Sequence, residues 1–420
     1  MKKENRNHTS LSLFTGAGGL DLGLESAGFK TTLCVELDSV CQKTLSKNRP
    51  EWTLSKQGDI TAVKPEELLT QAQVRSKGSL DLIAGGPPCQ PFSKSGYWAS
   101  GGAKRLKDPR ASTLKAYLNV IDCALPKVFI LENVKGLAYA GKDEGLKLLH
   151  RELRRINRSH ACKYHLSVLS INCADYGVPQ MRERIFVVGS RIGPAFSLPK
   201  PTHLPELSAE QQAENVLSRY TTAWDSIGDL ENTEDDGLLP TGKWAGLLSS
   251  IPEGQNYQWH TDKSGGLPLF GWRTRYWSFL LKLAKNRPSW TIQAAPGPAT
   301  GPFHWKNRKL SIRELCRLQT FPDNYEVVGG YRDAHRQIGN AVPPAISHLL
   351  GVEIRKQLFE ESVCIESRFL PKHRIDCPKP ERQRSVLKCY QLLQGNHAPH
   401  PGEGYGPGVK EVRDKNRAKT

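Results

Sequence analysis

A chain of 420 residues is long enough for two or three domains, and 38% hydrophobic with 24% charged residues suits a folded globular protein better than a disordered or fibrous one. Fifty-nine Lys and Arg outweigh 42 Asp and Glu, for a net charge of +17. That excess favours a polyanionic partner, because each neutralised phosphate releases counterions; a basic tail that only aids solubility is the plainer alternative. The opening MKKENRNHTS is polar with no apolar run behind it, and no stretch is apolar enough to span a bilayer, so neither a secretory signal nor a membrane partner is expected. Ten cysteines lie scattered without a CxxC pair, which fits a reducing cytoplasm better than a disulfide framework. Cys364, Cys377 and His373 match no common metal-site spacing, so no metal is expected.

From Thr9 to about Gly189, short apolar runs alternate with amphipathic stretches. Leu11–Phe14 reads as a strand, and Leu20, Leu24 and Ala27 line one face of the helix after it. Thr31–Leu37 and Leu80–Ala84 are the next strands, the latter stopped by Gly85 and Gly86. Lys115–Ala124 reads as a helix, Val128–Leu131 as a strand, Glu144–Ile156 as a helix and Ile185–Gly189 as a strand. The alternation predicts an α/β fold, a doubly wound and mostly parallel sheet with ligands at the carboxyl ends of its strands. From about 191 to 308 the texture turns to Pro, Gly and short polar segments, with seven of the nine tryptophans, and predicts a second, smaller, loop-rich domain. Helical patterns return at Ser311–Gln319 and after Pro344, so that about 309–358 rejoins the first domain of 9–190. Residues 371–420 are rich in Pro, Gly, Lys and Arg and are expected to form a disordered basic tail.

Four segments carry chemistry. Phe14-Thr15-Gly16-Ala17-Gly18-Gly19 ends the first strand, where glycines permit a tight turn and let N–H groups approach a ligand at a helix N-terminus. Glu36, at the end of the second strand, is placed for a ribose, and Asp59 for an adenine amino group. Such a turn would also suit a nicotinamide dehydrogenase, or be purely structural. Gly85-Gly86-Pro87-Pro88-Cys89-Gln90-Pro91-Phe92-Ser93 presents Cys89 on a stiffened loop, a setting that favours the nucleophilic thiolate over an inert buried thiol. Glu132-Asn133-Val134 puts a carboxyl at the same rim, although alone it reads equally as a cap or surface acid. Gln180-Met181-Arg182-Glu183-Arg184 places Gln180, Arg182 and Arg184 on one face if extended, suited to an anionic or carbonyl ligand or to a solvated strand edge.

Taken in order, these segments resemble the DNA (cytosine-5) methyltransferases. SLFTGAGG, GGPPCQPFS, ENV and QMRER are each close to that family's patterns. So are Arg313–Pro322 (RELCRLQTFP) and Gln337–Pro343 (QIGNAVP). The resemblance runs from about residue 9 to 356 and breaks in the Trp-rich middle, where the family's target recognition domain varies; bacterial restriction–modification members compare best. It implies a Rossmann-like fold with S-adenosyl-L-methionine as methyl donor and double-stranded DNA as partner. It further implies a cytoplasmic monomer, with an endonuclease acting on the same site elsewhere in the cell.

The resemblance assigns roles as follows. Cys89 attacks cytosine C6, which makes the poorly nucleophilic C5 reactive. Glu132 hydrogen-bonds the N3 and amino edge, Arg184 contacts the carbonyl, and Arg182 helps hold the catalytic loop. Phe14 and Gly18 surround the donor's amino-acid part, Gly16 and Gly19 complete the donor-binding glycine loop, and Glu36 takes the ribose. Asp59 and Ile60 flank adenine, and Pro88, Leu114 and Asn340 match further donor contacts. A duplex buries C5 and C6, so the base must be flipped out. Gly96, Gly101 and Gly102 would give mobility to a loop closing over it. In the middle region Gln255, Asn256, Gln258, Arg273, Arg275 and Lys306 are the side chains suited to groove edges. A tRNA methyltransferase of the same fold and an inactive DNA-binding regulator are the rival readings. The long middle region argues against the first, and intact Cys89, Glu132, Arg182 and Arg184 against the second.

Overall fold

The computed structural model describes residues 8–88, 111–134, 144–208, 217–233, 235–271 and 277–394. Its centre is a six-stranded sheet built from β1 (His8–Leu13), β2 (Phe29–Val35), β3 (Leu82–Gly85), β4 (Val128–Asn133), β5 (His165–Asn172) and β7 (Glu183–Ser190). A two-residue strand, β6 (Gln180–Met181), precedes β7. The spatial order is β2-β1-β3-β4-β7-β5. β2, β1, β3 and β4 pair in parallel, and β7 runs antiparallel to both neighbours. The mostly parallel, doubly wound sheet expected from the sequence is therefore the fold.

Helices cover both faces: α1 (Gly19–Ser26), α2 (Ser39–Asn48), α3 (Pro65–Gln71), α4 (Ala111–Ala124), α5 (Glu144–Ser159), α6 (Ala223–Ile227), α7 (Ile312–Leu318), α8 (Tyr331–Asn340) and α9 (Pro344–Leu358). Central strands are buried on both sides, which is why they read as unbroken apolar runs. Their alternate residues feed two cores. Ile83, Phe129 and Leu131 pack with Leu118 and Ile121 of α4 and Leu149 and Leu153 of α5. Leu82, Val128 and Ile130 pack with Leu24 of α1 and Ile346 and Leu350 of α9. β5 was not expected. It is an edge strand with Val168 turned to solvent and serines at 167 and 170, so it lacks an apolar run. Among the described residues no helix is long and apolar enough to cross a membrane.

The middle region has a core of its own, made by Trp244, Leu247, Leu248, Ile251, Tyr257, Leu269, Phe270 and Phe279. Its entry and exit belong to another. Ala223, Ile227, Leu283, Ile292 and Trp305 share a cluster with Ala17, Leu22, Trp52, Leu315 and Phe321 of the sheet domain. Arg308 adds two hydrogen bonds of 2.7 Å to the buried carboxylate of Glu314 on α7.

Residues 371–394 correct the expectation of a disordered tail from 371; residues 395–420 lie outside the described residues. The segment follows the middle region through a few strong anchors that its polar composition hides. The Arg374 amide donates to Asp225 (2.7 Å), Trp224 Nε1 donates to the Asp376 carbonyl (2.6 Å), and Glu381 accepts from Lys285 (2.8 Å) and Lys306 (3.1 Å). Tyr390 stacks on Trp244 at 5.8 Å and donates to the Lys243 carbonyl. Tyr390→Ala should therefore cost about 3 kcal/mol, as loss of a buried aromatic does, read as a lower urea midpoint; an unchanged midpoint would return the segment to a loose tail.

Candidate active site

The β1–α1 turn is forced by left-handed backbone at Phe14 (φ 58°), Gly16 (φ 57°) and Gly18 (φ 74°). Gly18 caps α1, whose first residue, Gly19, lies so close to the 341–342 segment that a Cβ there would sit 2.3 Å from the Val342 carbonyl oxygen. The turn opens on a cavity of about 680 Å³ at the carboxyl ends of β1–β4. Glu36 follows β2 and accepts from the Gly16 amide (2.6 Å) and the Asp38 amide (2.8 Å), so one carboxylate fixes the turn to the next loop. Burial raises its pKa against those two donors.

The cavity joins most of the expected donor residues. Phe14, Gly16, Gly19, Glu36, Asp59, Ile60, Pro88 and Asn340 all line it. Gly18 lies beneath the turn rather than on the wall, against Leu45, Trp52 and Tyr325. Leu114 also differs from expectation: it is 4% exposed and packs into the core, because the inward face of α4 carries it there, and Thr113 beside it lines the cavity instead.

At the opposite end stand Glu132 and Arg184. Glu132 is the penultimate residue of β4 and Arg184 the second of the antiparallel β7, and this register brings Arg184 Nε to 3.0 Å from Glu132 Oε1. Burial raises the Glu132 pKa, opposed by Arg184 and then Arg182. Opposite them, a Cβ on Gly86 would sit 2.9 Å from Glu132 Oε2, so glycine makes room for the acid. Gln180, Arg182 and Arg184 do not share a face toward the cavity, because the strand breaks at Arg182 and only Arg184 lines it. Arg182 is fully buried and donates to the carbonyls of Ile292 (3.3 Å), Gly339 (2.8 Å) and Ala341 (2.9 Å). Burial, then the Arg184 charge, pushes its pKa down to about 9, so it remains a cation at neutral pH. It acts as a brace rather than a group facing a substrate. Cys89 and the glycines at 96, 101 and 102 lie outside the described residues.

The structure adds cavity residues to which the sequence assigned no role: Leu37, Asp38, Thr113 and Arg336 beside the motifs, and Asn133 and Gln337 within them. Arg336 pairs with Asp38, tying α8 to the loop after β2. Asn133 donates to the Pro87 carbonyl (3.2 Å), so the residue after Glu132 steadies the PPC loop. Leu37 leaves 70% of its surface exposed at the mouth. Each neighbours a motif residue, and that adjacency was the available signal. Among the described residues no cluster of His, Cys, Asp and Glu is arranged to hold a metal ion.

Comparisons with known proteins agree with this geometry. The family of C-5 cytosine-specific DNA methylases matches residues 8–356. The type II methyltransferase M.SacI of Streptomyces achromogenes is 37% identical over 380 residues, covering 85% of this chain and 94% of its own length. M.NgoFVII of Neisseria gonorrhoeae, another type II methyltransferase, is 35% identical over 341 residues, covering 80% and 83%. Among solved structures, a putative DNA modification methyltransferase from an Escherichia coli prophage superposes with a TM-score of 0.56 at 21% identity, over 84% of this chain and 100% of the other. A DNMT2 variant of Spodoptera frugiperda gives 0.57 at 17%, over 83% and 99%.

Under the glycine turn lies Asp21, 1% exposed, which burial pushes up to about 7 despite a hydrogen bond from Ser12. The folded state thus holds this proton more tightly than the unfolded chain, where the ordinary value is 3.8. Stability is therefore lost as pH rises from about 4 to 7. Asp21→Asn cannot titrate, so its stability relative to the parent should climb across that window and level off above it in urea unfolding at stepped pH. A difference that stays flat would place the proton elsewhere.

Proposed function

The chain belongs to the C-5 cytosine-specific DNA methylases, and from that premise we propose how its residues carry the reaction. The enzyme is a DNA (cytosine-5) methyltransferase that uses S-adenosyl-L-methionine. The observation that carries the residue assignment is a single cavity with the glycine turn and Glu36 at one end and the Glu132–Arg184 pair at the other. A nucleoside-bearing donor and a base can meet in it. The donor supplies an electrophilic methyl group. Gly16, Glu36, Asp59, Ile60 and Asn340 line the part that would hold it, and exposed Leu37 offers an apolar face for its adenine.

Cytosine reaches the other end flipped out of the duplex, at a cost of a few kcal/mol. The Cys89 thiolate adds to C6, and the ring electrons move toward N3. Glu132, whose proton burial favours against the pull of Arg184, shares it with N3 as that charge develops. Arg184 faces the carbonyl oxygen. C5 then takes the methyl group, a base removes the C5 proton, and expulsion of the Cys89 thiolate restores the ring. Arg182 holds the wall through Ile292, Gly339 and Ala341.

Target choice falls to the region of about 191–308, since the cavity residues read no neighbouring base. Of the side chains suited to grooves, Gln255 is exposed. Lys306 is held by Glu381 and Glu231, and Asn256 donates to the Trp277 carbonyl, which leaves both less free to read bases. Arg273 and Arg275 lie outside the described residues. Type II relatives support a role in protecting DNA from an endonuclease of the same specificity.

Bisulfite sequencing of DNA from cells expressing the chain should reveal 5-methylcytosine in one sequence context. A duplex with 5-fluorocytosine at that position should trap the protein covalently when donor is present, because fluorine cannot leave as the proton does. Cys89→Ser should form no adduct and still bind donor; an adduct with that variant would remove Cys89 from the mechanism. Glu132→Gln keeps the shape but not the acid, and should slow methylation by about 10²-fold or more with donor affinity unchanged. Parent-like turnover would leave Glu132 a structural partner of Arg184.

A further inference from the structure

Most of the described tryptophans are buried or half-buried, with Trp52, Trp244 and Trp305 inside cores. Trp277 and Trp290 are not: 40% and 41% of their surfaces face water, and their rings lie 5.2 Å apart at 58°. Neither is a floppy side chain on a loose loop. Trp290 sits on the short strand Ser289–Trp290, which pairs with β6, placing it opposite Met181. Ser289 before it is fully buried, Ile292 after it is 1% exposed, and Thr291 Oγ1 donates to the Met181 carbonyl (2.6 Å). The Trp277 carbonyl accepts from Asn256 (2.6 Å), and Phe279 two residues on is anchored in the middle-region core.

The pair therefore straddles a seam. Trp290 is fastened to the strand that leads through Arg182 to Arg184 on the cavity wall, and Trp277 is fastened to the middle region. On the base-flipping reading, a DNA strand that delivers a base to Glu132 while the middle region reads its neighbours bridges the same two parts of the protein. Two adjacent indoles left in water forgo stabilisation that burial would give. They suit a partner with flat faces of its own, since every nucleobase offers one and the protein's net charge of +17 already favours DNA.

We propose that Trp277 and Trp290 form a stacking platform for a nucleobase flanking the extruded cytosine, compensating for the stacking lost on base extrusion. The inference rests on the base-flipping reading above. It concerns DNA affinity and leaves donor binding to the glycine turn.

The test uses the full chain and a duplex carrying the site identified by bisulfite sequencing. Binding should shield part of the intrinsic tryptophan fluorescence from acrylamide, and Trp277→Phe with Trp290→Phe should abolish that shielding while keeping affinity within a few-fold of the parent. Trp277→Ala with Trp290→Ala should bind the duplex roughly 10- to 100-fold more weakly, the range seen for base–aromatic stacking, with donor affinity unchanged. Parent-like DNA affinity in the alanine pair overturns the platform. So does an equal loss in the phenylalanine and alanine pairs, or a loss of donor binding along with DNA binding, since each makes the tryptophans structural. Covalent trapping of the parent by the fluorinated duplex reports on base flipping separately: trapping with a failed platform leaves the reaction standing, and no trapping removes the reading beneath both.

Discussion

The guanidinium of Arg182 holds together segments that are distant in sequence. Taking a cation out of water costs several kcal/mol, and among the described residues no carboxylate lies at ion-pair distance to offset it. Instead three carbonyls accept from it, at Ile292, Gly339 and Ala341. Gln180 works beside it, accepting from the Ile292 amide and donating to the Leu318 carbonyl and the Gln319 side chain. Gln319 in turn donates to the Ile338 carbonyl. The result is a buried polar network that fixes the return of the middle region, the end of α7 and the turn from α8 to α9. Asn340, Arg184 and Trp290 take their places from it. Such a network stabilises as its members are satisfied together, and it ties QMRER, RELCRLQTFP and QIGNAVP to one another, with Arg182 Nε the one nitrogen of that guanidinium left without a partner among the described residues.

The same bracing makes the middle region part of the enzyme rather than an appendage. Its tip has an independent aromatic core, while its roots share a core with α7 and the β1–α1 turn. Residues 371–394 then run back over it, linking Asp225 near one root to Trp244 at the tip. On the proposed function, a duplex held by that region would be held in a fixed relation to the cavity, which base extrusion needs, because a recognition surface free to swing could not position one nucleotide at Glu132.

The sheet was legible because β3 and β4, buried on both faces, advertise themselves as apolar runs, and because glycines mark where β1 and β3 stop. β5, at the edge, carries no such run. α2 escaped for a related reason: its buried face is only Cys41, Thr44 and Leu45, and Asp38 caps it through its side chain. Glu36, Glu132 and Arg184 were legible because each immediately follows or enters a strand at the carboxyl-end rim. Arg182 was misplaced because alternation along QMRER assumed an unbroken strand, whereas the backbone turns there and sends one arginine into the core. Leu114 was shifted by a single residue, and on a helix one residue separates the cavity wall from the interior. The ordered tail could not be read from composition, because its stability comes from partners more than 90 residues away such as Lys285 and Trp244.

The ion pair between Glu132 and Arg184 adds a constraint on the proposed chemistry. Burial favours the neutral acid and the guanidinium at 3.0 Å favours the carboxylate, so the proton is held between opposing forces. A neutral base entering the cavity expels water and strengthens both. Before attack, N3 has little claim on the proton. In the proposed reaction, as sulfur adds to C6, negative charge would gather at N3 and the proton would move toward it, leaving Glu132 a carboxylate beside Arg184. The 3.0 Å contact with Arg184, present before the base enters, would hold the carboxylate that proton transfer leaves. On that reading Arg184 would act twice in the same moment, on the carbonyl oxygen and on the newly charged acid, and both contacts would be stronger in the transition state than in the ground state, the condition for raising a rate rather than merely holding a substrate.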